Sequence, residues 1–149
     1  MTAIAHPLHT PAAPAPRTPR IAAARRWTAY ILIALTVPFL AFDGVIKLIR
    51  IKPVVDGMAQ LGVPLSLSTP LAVVLLSCLA LYIVPRTAIL GAILLTGYLG
   101  GAVATHVRVG DPLFSHALFP VYVGAMLWGT LYLRDARVRA LIPFRGNSV

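Results

Sequence analysis

The stretch WTAYILIALTVPFLAFDGVIKLI, residues 27–49, is long and apolar enough to cross a lipid bilayer as one helix. Three further apolar runs follow, at residues 65–84, 88–107 and 112–133. Each run holds about 20 residues, and a helix of that length, rising about 1.5 Å per residue, spans a hydrocarbon core of about 30 Å. We therefore predict an all-α polytopic membrane protein, an antiparallel four-helix bundle whose main partner is the lipid bilayer.

The composition agrees with this prediction. Hydrophobic residues make up 58% of the chain and charged residues 11%, whereas charged residues are about 25% of a typical soluble domain. The net charge of +9 raises nucleic acid as a partner. However, the basic residues flank the apolar runs and form no stripe interleaved with stacking aromatic residues. We predict no nucleic-acid partner.

The basic residues predict the orientation of the bundle. Nine of the thirteen Lys and Arg residues lie before the first run, between the second and third runs, or after the fourth. The other four are Lys47, Arg50, Lys52 and Arg108. Because cytoplasmic loops carry the excess of Lys and Arg, this distribution predicts that both termini are cytoplasmic.

The segments outside the four runs differ in character. Residues 1–26 are rich in Pro, Ala and Arg, which predicts a disordered cytoplasmic tail, and residues 144–149 form a second short tail. Pro85-Arg86-Thr87 leaves almost no loop between the second and third runs, so those helices form a tight hairpin. Residues 50–64 fit a short amphipathic segment along the outer interface or a plain loop. Pro38 and Pro120 predict kinks within the first and fourth helices, respectively.

Small residues predict where helices approach each other closely. Gly97 and Gly101 have GxxxG spacing in the third run, which leaves one face almost free of side chains. Ala125 and Gly129 have the same spacing in the fourth run and are the predicted counterparts. Such a face can pack against another helix of the same chain or against a second copy of the chain. The sequence therefore also allows a homo-oligomer.

Asp43 and Lys47 are charged residues within the first apolar run. A carboxylate near the centre of a membrane helix costs about 2.5–3.5 kcal/mol. Asp43 and Lys47 are four residues apart with the acid first, which favours an ion pair on one helix face. Two interpretations follow: a tolerated pair near the rim of the bilayer, or a carboxylate that faces the bundle interior and carries protons or anchors a ligand.

Polar residues also cluster around the third connection. His106 and His116 lie on the same predicted side as Asp43 and Lys47, so the four residues form a candidate ligand or proton site for an anionic or quinone-like ligand. The spacing of the two histidines is not diagnostic of a metal site, and none is predicted. Cys78 is the one cysteine, which excludes intramolecular disulfide exchange. No catalytic motif is visible.

Several motifs in this order resemble the DoxX-like membrane family over about residues 27–143. They are Phe42-Asp43-Gly44 with Lys47, Gly62-Val63-Pro64, Val84-Pro85-Arg86-Thr87 with Gly91, and the segment from Gly100 to His106. The resemblance implies a four-helix bundle in a bacterial cytoplasmic (inner) membrane, in a group named for a small subunit of a thiosulfate:quinone oxidoreductase. It also implies that polar family positions fall on Asp43, Lys47 and His106. Many relatives carry an acidic residue in the second helix, where this chain has Leu75.

Three functions are compatible with the sequence. The first is an accessory or structural subunit of a membrane redox or stress-related complex. The second is a quinone-binding component of an oxidoreductase, which would need a redox partner protein because no intrinsic flavin, haem or iron–sulfur ligand set is visible. The third is a small-molecule transporter, which the absence of an inverted repeat disfavours. Quinone is the expected cofactor only under the second function.

Overall fold

The computed structural model describes residues 19–142. The predictions of a disordered tail for residues 1–18 and of a short tail for residues 144–149 therefore lie outside the described residues. Within them the chain forms six α-helices and no strand. The helices are α1 (Pro19–Ile49), α2 (Lys52–Gln60), α3 (Ser68–Ile83), α4 (Ala88–Arg108), α5 (Phe119–Arg134) and α6 (Ala136–Leu141).

Four helical segments are long and apolar enough to cross a membrane. They are Ala23–Ile49, Leu65–Ile83, Ala88–Arg108 and Leu113–Arg134. Many large apolar side chains on these segments point away from the bundle, including Ile31, Phe42 and Ile93. The predicted all-α membrane bundle with four spanning helices is confirmed.

Helix α1 begins earlier than predicted. It starts at Pro19 rather than at Trp27, so the prediction of disorder for residues 19–26 is wrong. Proline is favoured in the first turn of a helix, where its missing N–H costs nothing. The three consecutive alanines that follow, residues 22–24, are the strongest helix formers. The segment whose composition resembled that of a disordered tail therefore forms the start of α1.

The four long helices form a closed ring of contacts. Helix α1 packs against α3 and α5, and α4 packs against the same two helices, so α1 and α4 lie diagonally across the bundle. Each helix contributes one almost completely buried leucine to the centre: Leu40, Leu75, Leu95 and Leu127. Leu75 is thus a core residue.

The α3–α4 connection is the tight hairpin that the sequence predicts. The Thr87 hydroxyl donates a hydrogen bond of 2.8 Å to the carbonyl of Leu81. Gly91 lies in the first turn of α4 against α3, and a Cβ at this position would overlap the backbone of Tyr82. Glycine is therefore required where the two helices are closest.

The first connection contains a helix, which settles the two possibilities that the sequence left open. Helix α2 buries Met58 to 7% exposure, while Lys52 and Asp56 form an exposed ion pair of 2.9 Å on its other face. Pro53 lies in its first turn, a position that favours helix initiation. The segment is amphipathic and lies over one end of the bundle.

The fourth apolar run is divided into two parts. A π-helical turn, Leu113–Ala117, ends before Leu118, and α5 begins at Phe119. Pro120 is therefore in the first turn of α5, where a missing N–H is tolerated, and the predicted kink inside one continuous helix is wrong.

Helix α6 was not predicted. The Asp135 carboxylate accepts a hydrogen bond of 2.8 Å from the backbone N–H of Arg137 and so caps the helix. The Arg139 guanidinium donates to the carbonyls of Tyr132 and Leu133 at the end of α5. These contacts hold α6 against the end of the bundle that also carries the α3–α4 hairpin.

Candidate functional site

A cavity of about 460 Å³ lies between the diagonal helices α1 and α4 and the start of α5. Met58 from α2 lines it, together with Leu61 and Val63 from the following connection. The cavity therefore lies at the end of the bundle that α2 covers. Most of its wall is apolar, so the few polar side chains in the wall decide what it can bind.

Asp43 and Lys47 of α1 both line this cavity. The Lys47 ammonium donates to the Asp43 carboxylate, one helical turn away. The side chain of Asp43 is 29% exposed and that of Lys47 is 21% exposed. The carbonyl of Lys47 also accepts a hydrogen bond of 2.6 Å from the buried Ser68 hydroxyl, which ties the end of α1 to the start of α3. Asp43 thus forms the predicted pair with Lys47 and also faces the cavity; its role in carrying protons or anchoring a ligand stays a prediction.

His106 of α4 lines the cavity from the helix diagonal to α1. Its Nδ1 lies 2.6 Å from Oδ2 of Asp111, in the connection after α4. A carboxylate accepts hydrogen bonds, so Nδ1 carries the proton and Nε2 is the acceptor of the neutral ring. His106 thus links the cavity wall to a carboxylate in the connection.

His116 does not line the cavity, unlike the other three residues of the candidate site. It lies on the π-helical turn, exposed, with its ring centre 6.2 Å from that of His106. Its Nδ1 lies 2.8 Å from the hydroxyl of Ser115.

Gly97 and Gly101 line the cavity instead of contacting a neighbouring helix. A Cβ on either glycine would meet no atom within 4 Å, so the prediction that they form a close helix contact within the chain is wrong. Their predicted counterparts face elsewhere: a Cβ on Gly129 would lie 3.8 Å from Leu32 of α1, and Ala125 lines a separate groove. A contact between two copies through Gly97 and Gly101 stays a prediction.

Tyr98 is a cavity residue that the sequence analysis missed. It is half-buried, and its hydroxyl has no hydrogen-bond partner among residues 19–142. Tyr98, Ala102 and His106 are spaced four residues apart, so they share one helix face. That spacing was visible in the sequence and could have placed Tyr98 beside His106.

The cavity thus combines a carboxylate–ammonium pair, an imidazole and a phenol within apolar walls. Lys47 and Tyr98 can donate hydrogen bonds, and Nε2 of His106 can accept or donate one according to its protonation state. Asp43 and His106 are groups that can exchange protons with a ligand. In the part of the chain that the structure describes, no group of three or more His, Cys, Asp or Glu side chains could hold a metal ion.

Comparison with known proteins assigns the family. No curated protein and no solved structure matches the chain. The model of the DoxX-like family matches residues 31–130, a range that extends from α1 into α5 and includes Asp43, Lys47, Tyr98 and His106. Since the match covers about two thirds of the chain, this protein belongs to the DoxX-like family.

Proposed function

We propose that the protein is a membrane-embedded subunit that binds a quinone-like ligand in the cavity between α1 and α4. The observation that carries this proposal is the convergence of Asp43, Lys47 and His106 on one largely apolar cavity of about 460 Å³. Small-molecule sites are typically about 300–1,000 Å³, mostly apolar, with a few polar groups that fix the orientation of the ligand.

The charges favour a neutral ligand over an anion. The Lys47 ammonium is already paired with the Asp43 carboxylate, so the pair brings no net positive charge to the cavity. A quinone ring is apolar on its faces and carries two carbonyl acceptors at opposite edges. Lys47 on α1 and Tyr98 on α4 both line the cavity and can donate hydrogen bonds to the carbonyls of such a ring.

The protein acts as a subunit in this proposal. Lys47 and Tyr98 donate hydrogen bonds to the ring carbonyls, Asp43 holds the Lys47 ammonium in place, and a protonated His106 can pass a proton to the reduced ring. Electrons come from a separate redox partner protein. In this proposal the protein is still an accessory subunit, and its specific role is to present a quinone to the redox partner protein. A purely structural subunit, held together by helix contacts, would need no binding at this cavity.

Loss of the Asp43 charge tests the proposal. We expect wild-type protein in lipid nanodiscs to bind a tailless benzoquinone or naphthoquinone saturably, and Asp43→Asn to weaken that binding at least about tenfold. Asp43 holds the Lys47 ammonium that donates to the ring, and hydrogen bonds to charged groups are worth about 1.5–3 kcal/mol. Isothermal titration and mass spectrometry of co-purified ligands measure the effect.

Asp56→Asn is the matched control for this experiment. Asp56 also pairs with a lysine four residues away, but this pair is exposed on α2 and does not line the cavity. The affinity of the Asp56→Asn variant for the quinone should stay within about twofold of wild type, since exposed ion pairs contribute little. Absence of binding in the wild type would leave a structural subunit and refute the proposed function.

The same proposal places the protein in a bacterial cytoplasmic membrane with both termini in the cytoplasm. This orientation is supported by the positive charges, because it puts nine of the thirteen Lys and Arg residues on the cytoplasmic side. In intact cells, a Gln60→Cys variant should react with a membrane-impermeant maleimide, whereas Arg86→Cys should react only after permeabilisation. Both positions are exposed, and the native Cys78 is buried. The reverse labelling pattern would refute the orientation.

A further inference from the structure

A second, shallower groove lies on the outer surface of the bundle between α4 and α5. Its volume is about 340 Å³. Small side chains form much of its floor: Gly100 on α4, with Gly124 and Ala125 on α5. A Cβ on Gly100 would meet no atom within 4 Å, and a Cβ on Gly124 would contact only a side-chain atom of Leu99, at 3.7 Å. The small residues therefore leave open space on this face of the α4–α5 contact.

The groove and the cavity share part of their wall. Leu99 of α4 and Pro120 of α5 line both spaces. Along α5 the cavity is lined by residues 119, 120 and 123, and the groove continues with residues 121, 124, 125 and 128. The groove therefore lies beside the cavity, with Leu99 and Pro120 between the two spaces. It extends away from the end of the bundle that α2 covers, towards the middle of the spanning segments.

The groove offers almost no polar atoms to a ligand. Its polar side chains, Thr96 and Trp128, satisfy each other: the indole Nε1 donates a hydrogen bond of 2.9 Å to the Thr96 hydroxyl. That bond closes the end of the groove farther from α2. A hydrocarbon chain can therefore lie in the groove without covering an unpaired donor or acceptor, stabilised by van der Waals contact.

We infer that this groove holds the hydrocarbon tail of the ligand whose ring lies in the cavity, so that the ligand is a tailed, isoprenoid-type quinone. This inference rests on the proposed function and specifies its ligand class. The ring lies among Asp43, Lys47 and His106, and the tail passes Leu99 and Pro120 to the bilayer side of α4 and α5. The ligand enters sideways from the bilayer, where such quinones dissolve.

Filling the groove tests the inference. Gly100→Leu places a side chain in the open space of the groove but does not touch the cavity. In nanodiscs, we expect this variant to bind an isoprenoid quinone at least about tenfold more weakly than wild type, because overfilling a site costs about 1–3 kcal/mol. Its affinity for the same ring without a tail should stay within about twofold of wild type, a difference of less than about 0.5 kcal/mol.

Ala104→Leu is the matched control, since it adds the same side chain at an exposed position of α4 outside both spaces. It should leave both affinities unchanged. An isoprenoid quinone with a diazirine on its tail provides an independent measurement. It should label the groove-lining parts of α4 and α5, and an excess of unlabelled isoprenoid quinone should suppress the label.

The outcomes separate the two proposals. If the wild type binds neither the ring nor the tailed quinone, the proposed function fails and the tail site fails with it. If the ring binds but Gly100→Leu affects tailed and tailless ligands equally, only the tail site is refuted. Labelling spread over all four spanning helices, or a groove filled by phospholipid acyl chains or by a second copy while quinone is bound, would also refute the tail site alone.

Discussion

Gly91→Ala is expected to lower the free energy of unfolding by about 3 kcal/mol, at the upper end of the range for overfilled cores. The added Cβ would overlap the backbone of Tyr82 and lie 2.8 Å from the carbonyl carbon of Leu81. Backbone atoms cannot rotate away as a side chain can, so α3 and α4 must separate. Tyr82 also donates a hydrogen bond of 3.0 Å to the carbonyl of Leu127 in α5, and that contact would be disturbed as well.

Gly97→Ala is the control for this prediction and should have the opposite sign. Its Cβ would meet no atom within 4 Å, and alanine is about 1 kcal/mol better than glycine inside a helix. Unfolding by sodium dodecyl sulfate in mixed micelles, followed by circular dichroism, measures both variants on the same scale. Equal stability of the two variants would show that the α3–α4 contact is not as close as the structure has it.

These two glycines show what helical spacing can and cannot predict. The GxxxG spacing of Gly97 and Gly101 placed them on one face, which is correct, but it could not reveal that this face borders a cavity. The described glycines with the closest neighbours are Gly91, against Tyr82, and Gly44, whose Cβ would lie 2.6 Å from Leu76. The neighbouring helix that a residue contacts depends on how the helices are arranged in the bundle. The sequence of one helix does not specify that arrangement.

The spanning helices and the ion pair were predictable because they depend on local sequence. Length and hydropathy define the four segments, and the spacing of Asp43 and Lys47 alone places their side chains in contact. The position of His116 was not predictable in this way. It depends on the π-helical turn before Leu118, which nothing in the apolar pattern of residues 112–133 marks. The direction of Asp43 likewise became visible only with α4 and α5 in place.

Lys47→Met is expected to destabilise the protein by about 3 kcal/mol, close to the cost of an unpaired charge in a membrane helix. The substitution leaves the Asp43 carboxylate, 29% exposed, in the cavity wall without its ammonium partner. Asp43→Asn should cost less, because the long lysine side chain can extend its charge towards water at the nearby helix end. The double variant should recover most of the stability that Lys47→Met loses.

The Lys52–Asp56 pair gives the reference for this double-mutant cycle. It has the same four-residue spacing, but its side chains are 84% and 52% exposed. Its coupling energy should therefore be no more than about 0.5 kcal/mol, whereas the Asp43–Lys47 coupling should be several times larger. Unfolding in mixed micelles yields both values. Equal couplings would mean that water reaches Asp43 as freely as it reaches Asp56. The cavity would then lack the low-dielectric surroundings in which one charged pair can hold a neutral ring in place.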